Sequence, residues 1–215
     1  MNNTLAPKHF IFDWSGTLCD DMRSCYEASM AVFRHYKTPV IEMGEYRSQI
    51  EYPYLPFYQR YNPKMELEVI DTVFREALPS TSLPIIYKQT KPLLEYLHKL
   101  RKDMVIVTGV PQNIIESELI RLNVAQYFQE VIGSAYDKTE LVLDLLNRKH
   151  WTPANVWYLG DMAHDILVGK NAKVTTVALA QGYQPRHKLE KVEPDMLFDD
   201  LAGAYQFIKS MCASW

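Results

Sequence analysis

His9-Phe10-Ile11-Phe12-Asp13-Trp14-Ser15-Gly16-Thr17-Leu18-Cys19-Asp20 decides how the rest of this chain is read. It begins as a short apolar run, the pattern of a buried strand. It breaks off at Asp13 and passes into Ser-Gly-Thr, which are turn-forming residues. A carboxylate at the tip of a buried strand costs several kcal/mol or more unless it is paired or bound to a metal. Standing alone, Asp13 reads as the cap of the turn or helix that follows. Three later segments change that reading.

Outward from this stretch, residues 85 onward alternate strand and helix patterns. Thr90 is placed to cap a helix with Pro92 in its first turn and Leu93, Leu94, Leu97 and Leu100 as the buried stripe. Met104-Val105-Ile106-Val107 reads as a short buried strand ending at Thr108-Gly109, and Pro111 starts a helix carrying Ile115, Leu119 and Leu122. Glu130 to Gly133 is a third strand. Asp137 and Glu140 have the spacing of a capping box for the next helix. Val156 to Leu159 is a fourth strand, ending in Gly160-Asp161, and Val174 to Leu179 a fifth. Such alternation predicts an α/β fold, a parallel sheet with helices on both faces. In such sheets the functional crevice lies beyond the carboxyl ends of the strands.

Residues from about 22 to 84 differ. Met22 to Tyr36 reads as a helix, closed by Thr38-Pro39. A stretch dense in aromatics follows: Tyr46, Tyr52, Tyr54, Phe57, Tyr58 and Tyr61, with Arg47 and Arg60 among them and Pro53 and Pro56 interrupting. A second helical pattern then runs from Leu67 to Leu78, up to Pro79. With no strand pattern, the region reads as a helical insert. Its aromatics either pack the insert or form a pocket lid, with Arg47 or Arg60 pairing a substrate anion.

Composition bounds the remaining possibilities. The 215 residues allow one large domain or one domain with an insert, and 47% hydrophobic content is ample for a core. A formal charge of -3 gives no sign of nucleic-acid or anionic-membrane binding. Cys19, Cys25 and Cys212 form neither a metal-type spacing nor an even disulfide set, so a reducing cytoplasm is the expected setting. Residues 1–7 lack a basic segment followed by an apolar one, so no leader peptide is expected. No apolar run approaches the roughly 18 residues a membrane helix needs.

Applied to the predicted strands, the crevice rule gathers a constellation: Asp13, Thr108 and Asp161 at strand ends, with Asp165 four positions further on. Each has an ordinary reading, Thr108 as a cap and the acidic pair as a solvated first turn. Lys138 sits near the start of its helix, where a cation opposes the helix dipole and so needs another partner. Together, three carboxylates meeting at one edge repel each other unless a cation lies among them. Hard oxygen ligands at this density suit Mg²⁺, which uses one or two protein carboxylates plus waters and substrate phosphate. The Lys138 ammonium, the Thr108 hydroxyl and the Gly109 amide would then bind phosphate oxygens.

These segments resemble the four motifs of the haloacid dehalogenase-like hydrolases, in order and approximate spacing. Phe10 to Asp20 is similar to the first motif, Val105 to Gly109 to the second, Lys138 to the third and Gly160-Asp161-Met162-Ala163-His164-Asp165 to the fourth. The resemblance covers residues 8 to 208 and is of the capped, phosphoglycolate phosphatase-like type. It implies a Rossmann-like doubly wound core over 1–19 and 85–215 and a small helical cap over 20–84. It also implies Asp13 as a nucleophile that becomes an aspartyl-phosphate. Mg²⁺ would be held by Asp13, the backbone carbonyl of Ser15 and Asp161, with Asp165 as a ligand or just behind one. The substrate would be a small phosphorylated metabolite.

One position departs from the family pattern. Family phosphatases carry a second Asp two residues after the nucleophile, which protonates the leaving group and then deprotonates water. Here the residue is Ser15. A hydroxyl is no proton reservoir near pH 7, and general acid–base help is worth roughly 10²–10⁴-fold. Either the enzyme uses good leaving groups, or it cleaves C–P bonds as relatives with a small residue there do, or it is a weakened enzyme that mainly binds phosphorylated ligands. The C–P reading lacks its expected cap lysine, since none lies between Arg47 and Arg60.

Overall fold

The computed structural model describes residues 7–212, the side chain of Cys212 excepted. Residues 1–6, on which the expectation of no leader peptide largely rests, lie outside the described residues, as do 213–215. Eight strands and ten α-helices are described. Strand β1 (His9–Phe12) is followed by the two-residue β2 (Cys19–Asp20). The chain then runs through α1 (Met22–His35), α2 (Met43–Gln49), α3 (Leu55–Tyr61) and α4 (Leu67–Ala77). It returns through β3 (Ile85–Ile86), which pairs antiparallel with β2. Both strands of the insert therefore stand side by side where it leaves and rejoins the rest of the chain. This short ribbon carries too little periodicity to be read from sequence.

From there strand and helix alternate: α5 (Thr90–Lys99), β4 (Asp103–Val107), α6 (Gln112–Arg121), β5 (Glu130–Ile132), α7 (Lys138–Arg148), β6 (Val156–Gly160), α8 (Ala163–Asn171) and β7 (Thr175–Leu179). The chain ends through α9 (Arg186–Glu190), β8 (Met196–Phe198) and α10 (Leu201–Cys212). The sheet is six-stranded in the order β5-β4-β1-β6-β7-β8, every pairing parallel. The sequence reading contains five of these strands and misses β8, which is only three residues long and half-buried.

Alternation of side chains along β1, β4 and β6 supplies both faces of the sheet. Phe10, Phe12, Met104, Ile106, Trp157 and Leu159 pack on one side with Leu93, Leu94 and Leu97 of α5 and Ile115 of α6. Ile11, Val105, Val107 and Tyr158 face the other side, against Val142 and Leu145 of α7 and Val168 of α8. Covered on both faces, these strands read as unbroken apolar runs. The insert has its own core, in which Phe33 of α1 meets Phe57 and Tyr58 of α3 and Ile70 of α4.

Of the two caps expected from sequence, one differs. Thr90 does not cap α5; Gln89 holds that position, and the Thr90 hydroxyl donates to the Leu18 carbonyl at 2.7 Å. It thereby ties α5 to the turn after Asp13. Asp137 does cap α7, accepting from the Thr139 backbone N–H at 3.0 Å.

Candidate active site

Register builds the site. Phe12 is level with Ile106 on one side and Leu159 on the other, so Asp13, Thr108 and Asp161 all emerge at the same carboxyl edge. Strand β1 is central, which leaves Asp13 flanked by both neighbours. Asp165 lies in the first turn of α8 and Lys138 opens α7. The structure brings these five residues together, and all five are buried.

Lys138 finds the partner its place at a helix N-terminus calls for. Its Nζ donates to Asp13 Oδ1 at 2.7 Å and to Asp165 Oδ1 at 2.8 Å. Burial works against the ammonium, but the two carboxylates hold its pKa well above the usual lysine value. Burial pushes the Asp13 carboxyl up to about 6, against the pull of Lys138. Asp161, with no exposed surface, is raised by burial and by the nearby charges of Asp13 and Asp165. It accepts from the Thr17 hydroxyl at 3.0 Å and the Tyr183 backbone N–H at 2.6 Å.

Asp13, Asp161 and Asp165 each offer an oxygen within 4.8 Å of the others. Three carboxylates and one ammonium leave two uncompensated charges in a buried site, and only oxygen donors are on offer. That donor set fits a hard divalent cation such as Mg²⁺. Gly16, at φ +74°, and Gly182 close the cradle around Asp161, where a Cβ at either position would strike its carboxylate.

Ser15 lies in the turn beside Asp13, and its hydroxyl hydrogen-bonds the carboxylate of Asp21. Asp21 also accepts from the Tyr183 hydroxyl at 3.0 Å, and burial raises its pKa to about 7. Trp14 reaches the other way, its indole N–H donating to Glu118 at 2.8 Å. Thr108 and Gly109 line the cavity with Lys138.

Arg47 is not among the residues lining the cavity. Its guanidinium donates to the backbone carbonyls of Gly182 at 3.0 Å and Ala180 at 3.2 Å, tying the insert to the loop after β7. Arg60 pairs with Glu51 and donates to the Gln49 carbonyl at 2.7 Å. Tyr52 of the insert does reach the site. Its hydroxyl donates to the Ala135 carbonyl at 2.9 Å, and its ring lies 5.9 Å from Lys138 Nζ and beside Gly109. It also packs at 4.9 Å on His164, whose Nε2 is buried without a hydrogen-bond partner. Tyr52 belongs to the aromatic stretch noted in the sequence, but six similar side chains there gave no means of choosing it. Tyr46, Phe57 and Tyr58 of the same stretch are buried in the insert's own core.

The cavity between the insert and the sheet edge has a volume of about 460 Å³ and opens on Asp13. Tyr54 and Tyr136 close one side of it, both donating to the carboxylate of Asp71; the Tyr136 bond is 2.7 Å.

A crevice of this kind at the edge of a six-stranded parallel sheet defines a Rossmann-like α/β protein with an acidic centre whose oxygen donors suit a cation. The profile of the family described as haloacid dehalogenase-like hydrolase matches residues 10–179. This chain belongs to that family.

Among curated relatives, a phosphoglycolate phosphatase of Vibrio cholerae is 26% identical over 218 residues, covering 94% of this chain and 96% of that protein. Phosphoglycolate phosphatases of Pseudomonas fluorescens and Vibrio vulnificus are 26% and 29% identical, each over 63% of this chain. The chain spans only 50% and 60% of the lengths of those two proteins. The solved structure of a predicted phosphatase from Clostridium acetobutylicum superposes with a TM-score of 0.84 at 15% identity, over 95% of this chain and 99% of that one. A haloacid dehalogenase-like hydrolase family protein from Streptococcus pneumoniae gives 0.82 at 18% identity, over 94% and 98%. At such identities these two establish likeness of fold. No helix among the described residues is long and apolar enough to cross a membrane.

Proposed function

We propose that this protein is a Mg²⁺-dependent phosphoric monoester hydrolase acting on a small phosphorylated metabolite, with residues 20–84 as a cap over a core of 1–19 and 85–215. The observation that carries the reading is Asp13 itself. It is a buried carboxylate held by Lys138 at 2.7 Å, in an acidic cluster, facing the cavity under the insert. A purely structural carboxylate would not need two further acids beside it. The curated relatives named as phosphoglycolate phosphatases support the same class of reaction.

In this mechanism an Asp13 oxygen attacks phosphorus and the bond to the ester oxygen breaks, leaving an aspartyl-phosphate and a departing alcohol. Water then attacks that phosphorus, releasing inorganic phosphate and restoring Asp13. Lys138 orients the nucleophile and, with the Thr108 hydroxyl and Gly109 amide, neutralises the phosphoryl oxygens as charge develops. Asp13, Asp161 and the Ser15 carbonyl would hold Mg²⁺, with Asp165 beside them and shared with Lys138. When bound, the ion supplies positive charge that screens the nucleophile from the phosphate dianion. Ser15 cannot serve as the acid, so the departing oxygen takes its proton from solvent.

Ser15 also favours a second reading, a phospho-ligand binding protein with little turnover. Phosphate release from phenyl phosphate with Mg²⁺ separates the two. Release that is lost in Asp13→Asn, with the fold intact, supports hydrolysis. Binding of phosphorylated compounds without release supports the binding protein. Release unaffected by Asp13→Asn would remove Asp13 from the mechanism.

A further inference from the structure

We infer that the ester accepted here is a phosphate monoester of an uncharged, ring-bearing alcohol, not of a short carboxylic acid. This rests on the reading of Asp13 as the phosphoryl acceptor. It adds what the leaving group must be.

Charge is the first ground. The cavity wall carries Asp21, Glu51, Asp71 and Glu118 in addition to the carboxylates around Asp13. Its cations are Lys138 and Arg75. Lys138 is already engaged by Asp13 and Asp165, and Arg75 is exposed on α4. Arg47 and Arg60 are turned to backbone carbonyls and to Glu51. A carboxylate on the leaving group would enter a wall richer in acids than in cations. Leaving it unpaired away from water is costly.

The same acids do not call for a cationic leaving group, because each already has donors. Asp71 accepts from Tyr54 and Tyr136, Asp21 from Ser15 and Tyr183, Glu118 from Trp14, and Glu51 from Arg60. Apart from a few neutral polar groups, His164 Nε2 and the side chains of Asn113 and Ser134 among them, the rest of the lining is largely apolar and aromatic.

Shape is the second ground. The ring of Tyr52 lies beside Gly109 and 5.9 Å from Lys138 Nζ, so it is the first surface a leaving group meets on departing from the phosphate. Tyr54, Tyr136, Ile70 and Phe74 continue that surface. A volume of about 460 Å³ is far more than a two-carbon acid fills. It lies within the roughly 300–1,000 Å³ of sites for ligands with rings. Aromatic walls favour offset or edge-on ring contacts.

The test compares benzyl phosphate, ethyl phosphate and phosphoglycolate, whose leaving oxygens are all of the alkyl type. With Mg²⁺ present, kcat/KM for benzyl phosphate should exceed that for ethyl phosphate and phosphoglycolate by at least about tenfold, the discrimination a well-filled apolar pocket provides. Tyr52→Leu should collapse the benzyl-to-ethyl ratio mainly through KM, and Tyr52→Phe, which keeps the ring, should retain it. Calorimetric binding of the same three esters to Asp13→Asn gives the order of preference without turnover. If that order holds while the parent releases no phosphate, the hydrolase reading fails, and the preference for ring-bearing esters stands as one of binding alone. If phosphoglycolate binds or turns over as well as benzyl phosphate, or ethyl matches benzyl, the inference is overturned.

Discussion

Lys138 and Asp13 are 125 residues apart in sequence and 2.7 Å apart in space, Nζ to Oδ1. The pair is buried, and the same ammonium also serves Asp165 at 2.8 Å. Its loss leaves three carboxylates with no protein cation among them. Removing one partner of a buried ion pair costs about 3–5 kcal/mol, which for a chain of this size is roughly 6–20 °C in Tm. Lys138→Met should therefore melt well below the parent in chelator and recover part of the loss in excess Mg²⁺. Thermal unfolding in both conditions checks this. Equal melting of parent and variant would show that the pair contributes nothing to the fold.

Without metal, stability should fall as pH rises. Burial raises the carboxyls of Asp13 to about 6 and Asp21 to about 7, from an ordinary value of 3.8. A carboxyl raised in this way binds its proton more tightly in the folded protein. Its contribution is thus complete below the unfolded pKa, and is lost as pH climbs through the folded one. In chelator, Tm should drop between about pH 4 and pH 7. Mg²⁺ should restore more at pH 8 than at pH 5, because its ligands must be deprotonated. A metal increment that is flat across this range would remove these carboxylates from the metal site.

Ser15 should set the dependence on leaving group. With no carboxylate at that position, aryl and acyl phosphates should be cleaved well and alkyl phosphates slowly. Ser15→Asp should speed alkyl phosphate turnover by at least about tenfold, given the size of general acid–base catalysis. Mg²⁺ affinity, measured in parallel, shows whether the added charge has displaced the metal. If the parent already matches the variant with metal binding intact, another residue supplies the proton. Asp21, hydrogen-bonded to the Ser15 hydroxyl, is then the first to substitute.

Arg47 behaves in this geometry as a strut between insert and sheet. Arg47→Ala should loosen the insert and raise KM for small and large esters by similar factors, with kcat/KM falling in proportion. Limited proteolysis should cut the variant faster between α2 and α3. A selective rise in KM for one ester would instead place the guanidinium on the substrate.

Local pattern alone determined much of this protein. The apolar runs of β1, β4 and β6, each broken by Asp or Thr-Gly, carry both the strand assignment and the position of the site, because a parallel sheet presents its strand ends at one edge. Asp13, Thr108, Lys138, Asp161 and Asp165 each have an ordinary reading taken singly, and they become legible as candidates only when the crevice rule gathers them at one edge.

Tertiary structure decided the rest. Which aromatic of the insert approaches Lys138 and Gly109 depends on how the insert packs across the sheet edge, so Tyr52 is indistinguishable in sequence from Tyr46 or Tyr58. Arg47 carries the same charge whether it faces a substrate or a carbonyl, and only the approach of the loop at Ala180 and Gly182 settled its partners. Asp21, six residues after Ser15, reads as an ordinary turn acid. Burial in the folded chain raises its pKa, against the pull of the hydrogen bond from Tyr183, 162 positions away. Long-range burial and charge are properties of the folded neighbourhood, and no local spacing encodes them.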